Sequence, residues 1–192
     1  MKDKGQEKQQ RIVAAANQLF YERGFNQTSF SDIAEAADVP RGNFYYYFKS
    51  KDDILAAVIE TRLQNLRDLL AGWDVEFPAP RDRIKRFLNM PINDIDEVMR
   101  YGCPLGTLNV ELSKTQVDLQ AKAKESFDIL LDWLERQFAA MGYGSRARGM
   151  AMSLMGRAQG TLMMSNLYMD ADFLRHEVEE ARRWIDSLPA SV

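Results

Sequence analysis

The sequence has 192 residues, 46% of them hydrophobic, which is enough to bury the core of one domain or of a small domain joined to a larger one. Its single cysteine excludes an internal disulfide. The polar start MKDKGQEKQQ and the lack of a long apolar run argue against a signal peptide and a membrane span, so we expect a globular protein of the cytoplasm.

The net charge of −3 conceals an asymmetry along the chain. Residues 1–51 hold eight Lys/Arg and six Asp/Glu, whereas residues 52–192 hold 17 and 22. A weakly basic front on an acidic remainder points to a nucleic-acid partner for the front alone. A sequence-indifferent architectural DNA binder would be more basic throughout.

The front of the chain shows helical periodicity and no alternating strand pattern of useful length. A first helix ends at Gly24, and Ser29 with Asp32 three residues later predicts a capping box for a short second helix. After the break DVPRG, the stretch NFYYYF predicts a third short helix. Ser50 with Asp53 caps a long fourth one. These predictions make residues 1–51 a DNA-binding domain and residues 52–192 a second domain.

The second domain also reads as helical. GWDVEFPAPRD is a loop, a short helix follows it, and NMPINDIDEVMRYGCP is interpreted as an irregular connection with a partial helical turn. A helix begins at Pro104, where proline is tolerated as the first helical residue. Three longer helices complete an all-α chain of about nine helices.

The third helix divides its aromatic residues between two faces. A helix turns by about 100° per residue, so Phe44 and Phe48 share the inward side while Tyr45 and Tyr46 point outward, with Tyr47 at the boundary. Two short helices joined by a tight turn form a helix-turn-helix, whose second helix enters the major groove. An aromatic three-helix core with a solvated rim is the alternative.

Other polar residues near this helix suit DNA. Arg41 could take a guanine edge or a phosphate, and Asn43 could pair with an adenine edge. Gly42 would let the backbone approach the duplex closely. Ser29 and Lys51, at helix starts, are placed for phosphates.

From Arg11 to Leu55 the chain resembles the TetR family of bacterial transcriptional repressors, whose front reads approximately I..AA..LF...G...T....IA..AGVS.G..Y.HF..K..L. The matching residues are Ile12, Ala15, Ala16, Leu19, Phe20, Gly24, Thr28, Ile33, Ala34, Ala37, Val39, Gly42, Tyr45, Phe48, Lys51 and Leu55. The sequence departs from the family at Asp38, Pro40 and Tyr47, where Gly, a Ser or Thr cap, and His are usual.

The resemblance implies a homodimer that reads a near-palindromic operator and carries a ligand-binding body. Ser29, Asn43, Tyr45, Tyr46 and Lys51 match positions that commonly touch DNA. The complete set of candidate DNA contacts is Thr28, Ser29, Arg41, Gly42, Asn43, Tyr45, Tyr46, Tyr47 and Lys51.

The last two helices are the candidate dimer surface. Apolar residues from Leu174 to Leu188 follow a 4-3-4-3 spacing that fits helix–helix packing. In the preceding helix, Gly149, Gly156 and Gly160 lie among methionines, which suits close helix approach. Internal core explains the same pattern, and the resemblance favours the interface.

A small-molecule effector would bind among the middle helices, although core packing explains each candidate equally well. The candidates are Trp73, Phe87, Met90, Leu105, Leu108, Phe127, Trp133 and Met163. Cys103 precedes the helix starting at Pro104, where the helix dipole favours a thiolate. YGCPLGTLNVELS also resembles a GC..GNL..EL stretch of family members that sense electrophiles or oxidants, but buried packing is the commoner role of a free cysteine.

These observations predict a dimeric, ligand-responsive transcriptional repressor, with a thiol-based sensor acting through Cys103 as the alternative. No nucleophile–base set, phosphate loop or metal-ligand pair supports an enzyme, a cofactor or a metal site. An activator of the same architecture remains open.

Overall fold

The computed structural model describes residues 4–114 and 116–189, and all regular structure within them is helical, as the sequence predicts. The helices are α1 (Lys4–Arg23), α2 (Phe30–Ala36), α3 (Arg41–Tyr47), α4 (Lys51–Glu76), α5 (Pro80–Leu88), α6 (Met90–Asn93), α7 (Ile95–Tyr101), α8 (Pro104–Leu112), α9 (Val117–Ala140), α10 (Ala147–Tyr168) and α11 (Ala171–Ser187), with a 3₁₀ turn at Gly144–Arg146. No helix among the described residues is long and apolar enough to cross a lipid bilayer.

The helices form two compact units. The N-terminal unit comprises the described residues of Met1–Asn65 and of Thr107–Ser126, and the C-terminal unit those of Leu66–Gly106 and of Phe127–Val192. Helices α4, α8 and α9 therefore contribute residues to both units. The boundary after residue 51, between the predicted DNA-binding domain and the second domain, stays a prediction.

Capping boxes begin two helices of the N-terminal unit. The Ser29 hydroxyl accepts the Asp32 backbone N–H at 3.2 Å, while the Asp32 carboxylate accepts the Ser29 backbone N–H at 2.7 Å. At the start of α4, the Ser50 hydroxyl likewise accepts the Asp53 backbone N–H at 3.1 Å, and the Asp53 carboxylate accepts the Ser50 backbone N–H at 2.9 Å. Both predicted caps are confirmed, and each satisfies N–H groups that a helix start leaves unpaired.

Apolar side chains from α1 to α4 fill the core of the N-terminal unit. Its most buried members include Ile12, Ala16, Ile33, Phe44, Ile54, Leu55 and Val58. The Phe30 ring on α2 meets the Phe44 ring on α3 edge-on, with 5.1 Å between centroids. Because burying a large apolar side chain contributes about 1.5–3 kcal/mol, this core fixes α3 against α1 and α2.

The core of the C-terminal unit surrounds Trp133, which is fully buried. Its ring centroid lies 5.8 Å from that of Trp73, and its Nε1 donates a 3.1 Å hydrogen bond to the Asp74 carboxylate. The indole N–H is thus satisfied in an otherwise apolar surrounding.

The segment interpreted as an irregular connection forms α6 and α7, so that interpretation is wrong. Pro91 lies in the first turn of α6, where its missing N–H costs nothing, and Gly102 ends α7 with a φ of +76°. Both residues mark helix ends rather than a loop. Val98 and Met99 are buried and hold α7 in the core.

The apolar seam of α11 is internal, which corrects its assignment to the dimer surface. Leu174 and Ile185 are fully buried, and Val178 and Ala181 nearly so. Helix α11 packs on α5 and α10 in the same unit. Spacing along one helix identifies an apolar stripe without identifying what covers it, and here α5 and α10 cover it.

Helix α10 instead carries an exposed apolar stripe, which we call the outer face of α10. Its members are Gly149, Met152, Gly156, Gly160, Met163 and Leu167. Met152, Met163 and Leu167 are 55%, 64% and 68% exposed. A Cβ built on Gly156 or Gly160 would meet nothing within 4 Å. None of the residues that the structure describes therefore covers this stripe.

Candidate nucleic-acid interface

Helix α3 has the two faces that its sequence predicts. Phe44 and Phe48 are 1% and 5% exposed, whereas Tyr45 and Tyr46 are 58% and 82% exposed. An exposed aromatic pair on a helix fixed by two buried phenylalanines is a surface available for contact. Both interpretations of this helix, a DNA-reading face and a solvated rim on an aromatic core, place Tyr45 and Tyr46 outside the core, as the structure does.

Neighbouring rings hold the exposed tyrosines. The Tyr45 ring stacks on Phe30 of α2, with 5.5 Å between centroids and 17° between planes. Tyr46 meets the half-buried Tyr47 edge-on at 5.4 Å. Restrained rings lose little conformational entropy on binding, and their hydroxyls can donate to phosphate oxygens.

Three more predicted contacts lie on α3. Gly42 is exposed, and a Cβ there would meet no described residue beyond its chain neighbours within 4 Å, which suits close approach of the backbone to a duplex. Arg41 and Asn43 belong to the first turn of the helix, but their side chains lie outside what the structure describes. Their base contacts remain predictions.

Ser29 and Thr28, adjacent in sequence, differ in exposure. Ser29 is exposed at the start of α2. Thr28 is 1% exposed, and its hydroxyl donates a 2.7 Å hydrogen bond to the Gly24 carbonyl. The Thr28 hydroxyl therefore stabilises the turn after α1, and we leave it out of the DNA-contacting set.

Lys51 holds the same turn from α4. Its ammonium donates to the Phe25 carbonyl at 2.8 Å and to the Thr28 carbonyl at 3.0 Å. It also lies 4.2 Å from the centroid of the Phe25 ring, within cation–π range. These contacts give Lys51 a structural role that the sequence did not reveal, beside any phosphate contact.

The turn between α2 and α3 is held by a residue that the sequence analysis missed. Asp38 has a φ of +51°, in the left-handed region that favours glycine. The Arg11 guanidinium donates to the Ala37 carbonyl at 3.1 Å and to the Asp38 carbonyl at 2.7 Å. No spacing rule links residues 26 or 27 apart, so only the fold reveals this role.

The candidate effector residues are divided by the structure. Trp73, Phe87 and Trp133 are buried in the C-terminal unit, and Met90, Leu105 and Phe127 are half-buried against its core. Leu108 is buried in the N-terminal unit. Met163 is 64% exposed on the outer face of α10, so placing it in an internal pocket is wrong.

Cys103 caps a helix. Its half-buried sulfur accepts a hydrogen bond from the Gly106 backbone N–H, with 3.3 Å between Sγ and N, at the first turn of α8. This is the geometry of an N-cap side chain, which satisfies one unpaired N–H group.

Within the described part of the chain, no three His, Cys, Asp or Glu residues are grouped to hold a metal ion.

Two family models match the chain. The first, described as bacterial regulatory proteins of the tetR family, matches residues 12–58, which span α1 to α3 and the start of α4. The second, described as the C-terminal domain of LmrA/YxaF-like transcriptional regulators, matches residues 80–180. The second alone covers more than half of the chain.

Similar proteins carry names of the same kind. The chain is 28% identical over 169 residues to an uncharacterized HTH-type transcriptional regulator in the lacX 3' region of Lactococcus lactis subsp. lactis, with 86% of each chain covered. It is 31% identical over 121 residues to the HTH-type transcriptional repressor NemR of Escherichia coli K12, covering 61% of this chain and 58% of NemR. A TetR transcriptional regulator of Legionella pneumophila has a similar structure, with a TM-score of 0.80, 26% identity, and 92% and 94% of the two chains covered.

Proposed function

Because the chain belongs to the TetR family of bacterial regulatory proteins, a family of DNA-binding regulators and not of enzymes, we propose that it is a dimeric, ligand-responsive transcriptional repressor. The observation that carries the proposal is the exposed pair Tyr45 and Tyr46 on a short helix anchored by Phe44 and Phe48. Such a helix can enter the major groove without losing its core contacts. Acting on DNA, the protein would work in the cytoplasm.

DNA contacts would come from α3 and the start of α2. Tyr45 and Tyr46 offer hydroxyls to phosphates, which fix the register of the protein on the duplex. The Ser29 hydroxyl donates to the Asp32 carboxylate at 2.6 Å and would have to exchange this bond for one to a phosphate. Arg41 and Asn43 would read base edges at the first turn of α3. The hydroxyl of Tyr47 and the remaining hydrogen-bonding capacity of Lys51 complete the proposed set.

Dimerisation would use the outer face of α10. Glycine at positions 156 and 160 permits close approach of a second helix, and Met152, Met163 and Leu167 supply apolar area. A two-fold symmetric dimer presents two copies of α3 and therefore reads a near-palindromic operator. The proposed surface lies on α10, one of the two helices of the predicted interface, and leaves out the buried seam of α11.

An effector would bind in the C-terminal unit, among the half-buried residues Met90, Leu105 and Phe127. By linkage, a ligand that prefers the state unable to bind DNA weakens operator binding, commonly by about 1–3 kcal/mol. Repression rather than activation is supported by the similarity to NemR, which is a transcriptional repressor.

The thiol-sensor alternative is not carried forward, because the Cys103 sulfur is half-buried and serves as a helix cap. An inert capping role accounts for this cysteine without any reactivity.

The proposal is tested by selecting bound duplexes from a random DNA library with the purified protein. A repressor of this kind enriches one near-palindromic sequence, and binding to it survives excess competitor DNA. Enrichment of no sequence, with strongly salt-dependent binding to every duplex, would identify a non-specific binder instead.

A further inference from the structure

The turn between α1 and α2 binds the carboxylate of Glu111, a residue about 85 positions away on α8. The Phe25 backbone N–H donates to one carboxylate oxygen at 2.9 Å, and the Asn26 backbone N–H donates to the other at 2.7 Å. All three residues belong to the N-terminal unit. Both oxygens of one anion are thus engaged by consecutive amides of a single turn.

Gly24 makes this contact possible. Its φ of +86° orients the following two N–H groups into a concave anion-binding site of the kind called a nest. A Cβ on residue 24 would lie 3.1 Å from one oxygen of Glu111 and 3.3 Å from the other. The absence of a side chain therefore matters for conformation and for the approach of the carboxylate.

The same turn is held from its other side by Lys51. Phe25 donates its backbone N–H to Glu111, and its backbone carbonyl accepts a hydrogen bond from the Lys51 ammonium at 2.8 Å. Hydrogen bonds with one charged partner are roughly twice as strong as neutral ones. An anion on α8 and a cation on α4 thus fix the position of one short turn.

This turn leads directly into the DNA-reading helices. Ser29, the cap of α2, follows three residues after Asn26, and Phe30 of α2 contacts both Phe44 and Tyr45 of α3. A displacement of the turn therefore moves α2 and, through the aromatic contacts, α3. The strength of DNA recognition depends on that placement, because misplaced contacts lose their geometry.

We propose that Glu111 is a positioning residue for operator recognition: its carboxylate holds the α1–α2 turn so that α2 and α3 lie in the geometry that reads DNA. This inference rests on the proposed function. Helix α8 begins in the C-terminal unit at Pro104 and reaches the N-terminal unit before Glu111. If Glu111 has this role, a change at the first turn of α8 should alter operator binding through its carboxylate.

The first test compares Glu111→Gln with Glu125→Gln, an exposed glutamate of the same unit, on the selected operator. Both variants remove one negative charge, which by itself favours DNA binding. Glutamine has one acceptor oxygen, so Glu111→Gln leaves one amide of the turn unsatisfied. We expect about tenfold weaker operator binding for Glu111→Gln and no weakening for Glu125→Gln.

Hydrogen exchange separates positioning from unfolding. In the Glu111→Gln protein, the amides of Phe25 and Asn26 should lose protection, while those of α1 and α3 keep it. Should Glu111→Gln lose helix content, Glu111→Asp keeps the charge and shortens the side chain by one methylene, and it is expected to bind operator less tightly than wild type.

A double-mutant cycle with Gly106→Val provides a readout that a purely structural role would not move. A Cβ at residue 106 would lie 2.9 Å from the end of the flexible Gln159 side chain and 3.4 Å from the Cys103 Cβ, and the γ-methyl groups of valine extend further, so valine crowds the first turn of α8. We expect Gly106→Val to weaken operator binding in the wild-type background and to have no further effect in the Glu111→Gln background.

The outcomes distinguish the two proposals. If the wild-type protein selects no operator, the proposed function fails and the positioning role fails with it. If wild type selects an operator and Glu111→Gln binds it as tightly as Glu125→Gln, the function stands and the positioning role is overturned. Additive effects of Gly106→Val and Glu111→Gln would overturn the route through α8.

Discussion

The Arg11 guanidinium donates a 2.7 Å hydrogen bond to the backbone carbonyl of Asp38, the residue that holds the α2–α3 turn in a left-handed conformation. The Arg11 side chain is about half exposed and reaches both carbonyls of the turn at once. A planar guanidinium suits this forked contact, which a lysine ammonium cannot copy. Arg11 and Asp38 thus fix the α2–α3 turn, in addition to the core that packs α3 against α2.

Replacing Asp38 tests this turn. Glycine at residue 38 removes the left-handed strain, so Asp38→Gly should be at least as stable as wild type, by up to about 1 kcal/mol. Asp38→Ala keeps the strain and loses the tolerance that aspartate has for this conformation, at a cost of about 1 kcal/mol. Urea unfolding of wild type, Asp38→Gly and Asp38→Ala measures the order of their stabilities. Equal stability of the Gly and Ala variants would show that residue 38 carries no strain.

Tyr46 and Phe48 should separate binding from stability. Tyr46→Ala removes an exposed ring, so its free energy of unfolding should change by less than about 0.5 kcal/mol while operator affinity falls about tenfold. Phe48→Ala removes a buried ring, which lowers the free energy of unfolding by about 3–5 kcal/mol and unfolds the N-terminal unit. Anisotropy titrations and thermal unfolding provide the two readouts. Normal operator binding by Tyr46→Ala would show that α3 does not bind through this face.

A charge on the outer face of α10 should prevent dimerisation. Met163→Glu would bury an unpaired carboxylate in the proposed interface, raising the dimer dissociation constant about a hundredfold or more. Val75→Glu, at an 86% exposed site on α4, is the matched control and should remain dimeric. Sedimentation equilibrium measures both. A Met163→Glu protein as dimeric as the control would move the interface elsewhere.

The cap at α8 predicts how Cys103 variants behave. Serine also accepts a hydrogen bond from the Gly106 N–H, so Cys103→Ser should keep stability within about 0.5 kcal/mol. Cys103→Val fills similar space without an acceptor and should lose about 1 kcal/mol. Thermal unfolding ranks the variants. If alkylation removed operator binding from wild type but not from Cys103→Ser, the thiol-sensor alternative would return.

Local patterns predicted much of the fold and of the DNA-reading face. The caps at Ser29 and Ser50 depend on residues three apart, and the division of α3 into two faces depends on positions 44–48, so short-range geometry suffices. The start of α8 at Pro104 follows from the same kind of local rule.

Local sequence patterns did not predict contacts between residues that are far apart in the sequence. Arg11 with Asp38 and Glu111 with Phe25 are 27 and 86 residues apart, and neither pair has a sequence signature. The stripe of α11 was identified correctly as apolar but assigned to the wrong partner, because burial by α5 and α10 is a property of the fold. Met163 was misplaced for the same reason.

The most direct test of the account replaces Tyr46 with the photoreactive analogue p-benzoylphenylalanine and irradiates the protein on its selected operator. The same analogue at the exposed residue Val75, in the C-terminal unit, is the control. We predict a covalent cross-link to operator DNA from position 46 and none from position 75. A protein that stays bound to its operator, yet cross-links no DNA from position 46, would contradict the assignment of α3 as the reading helix.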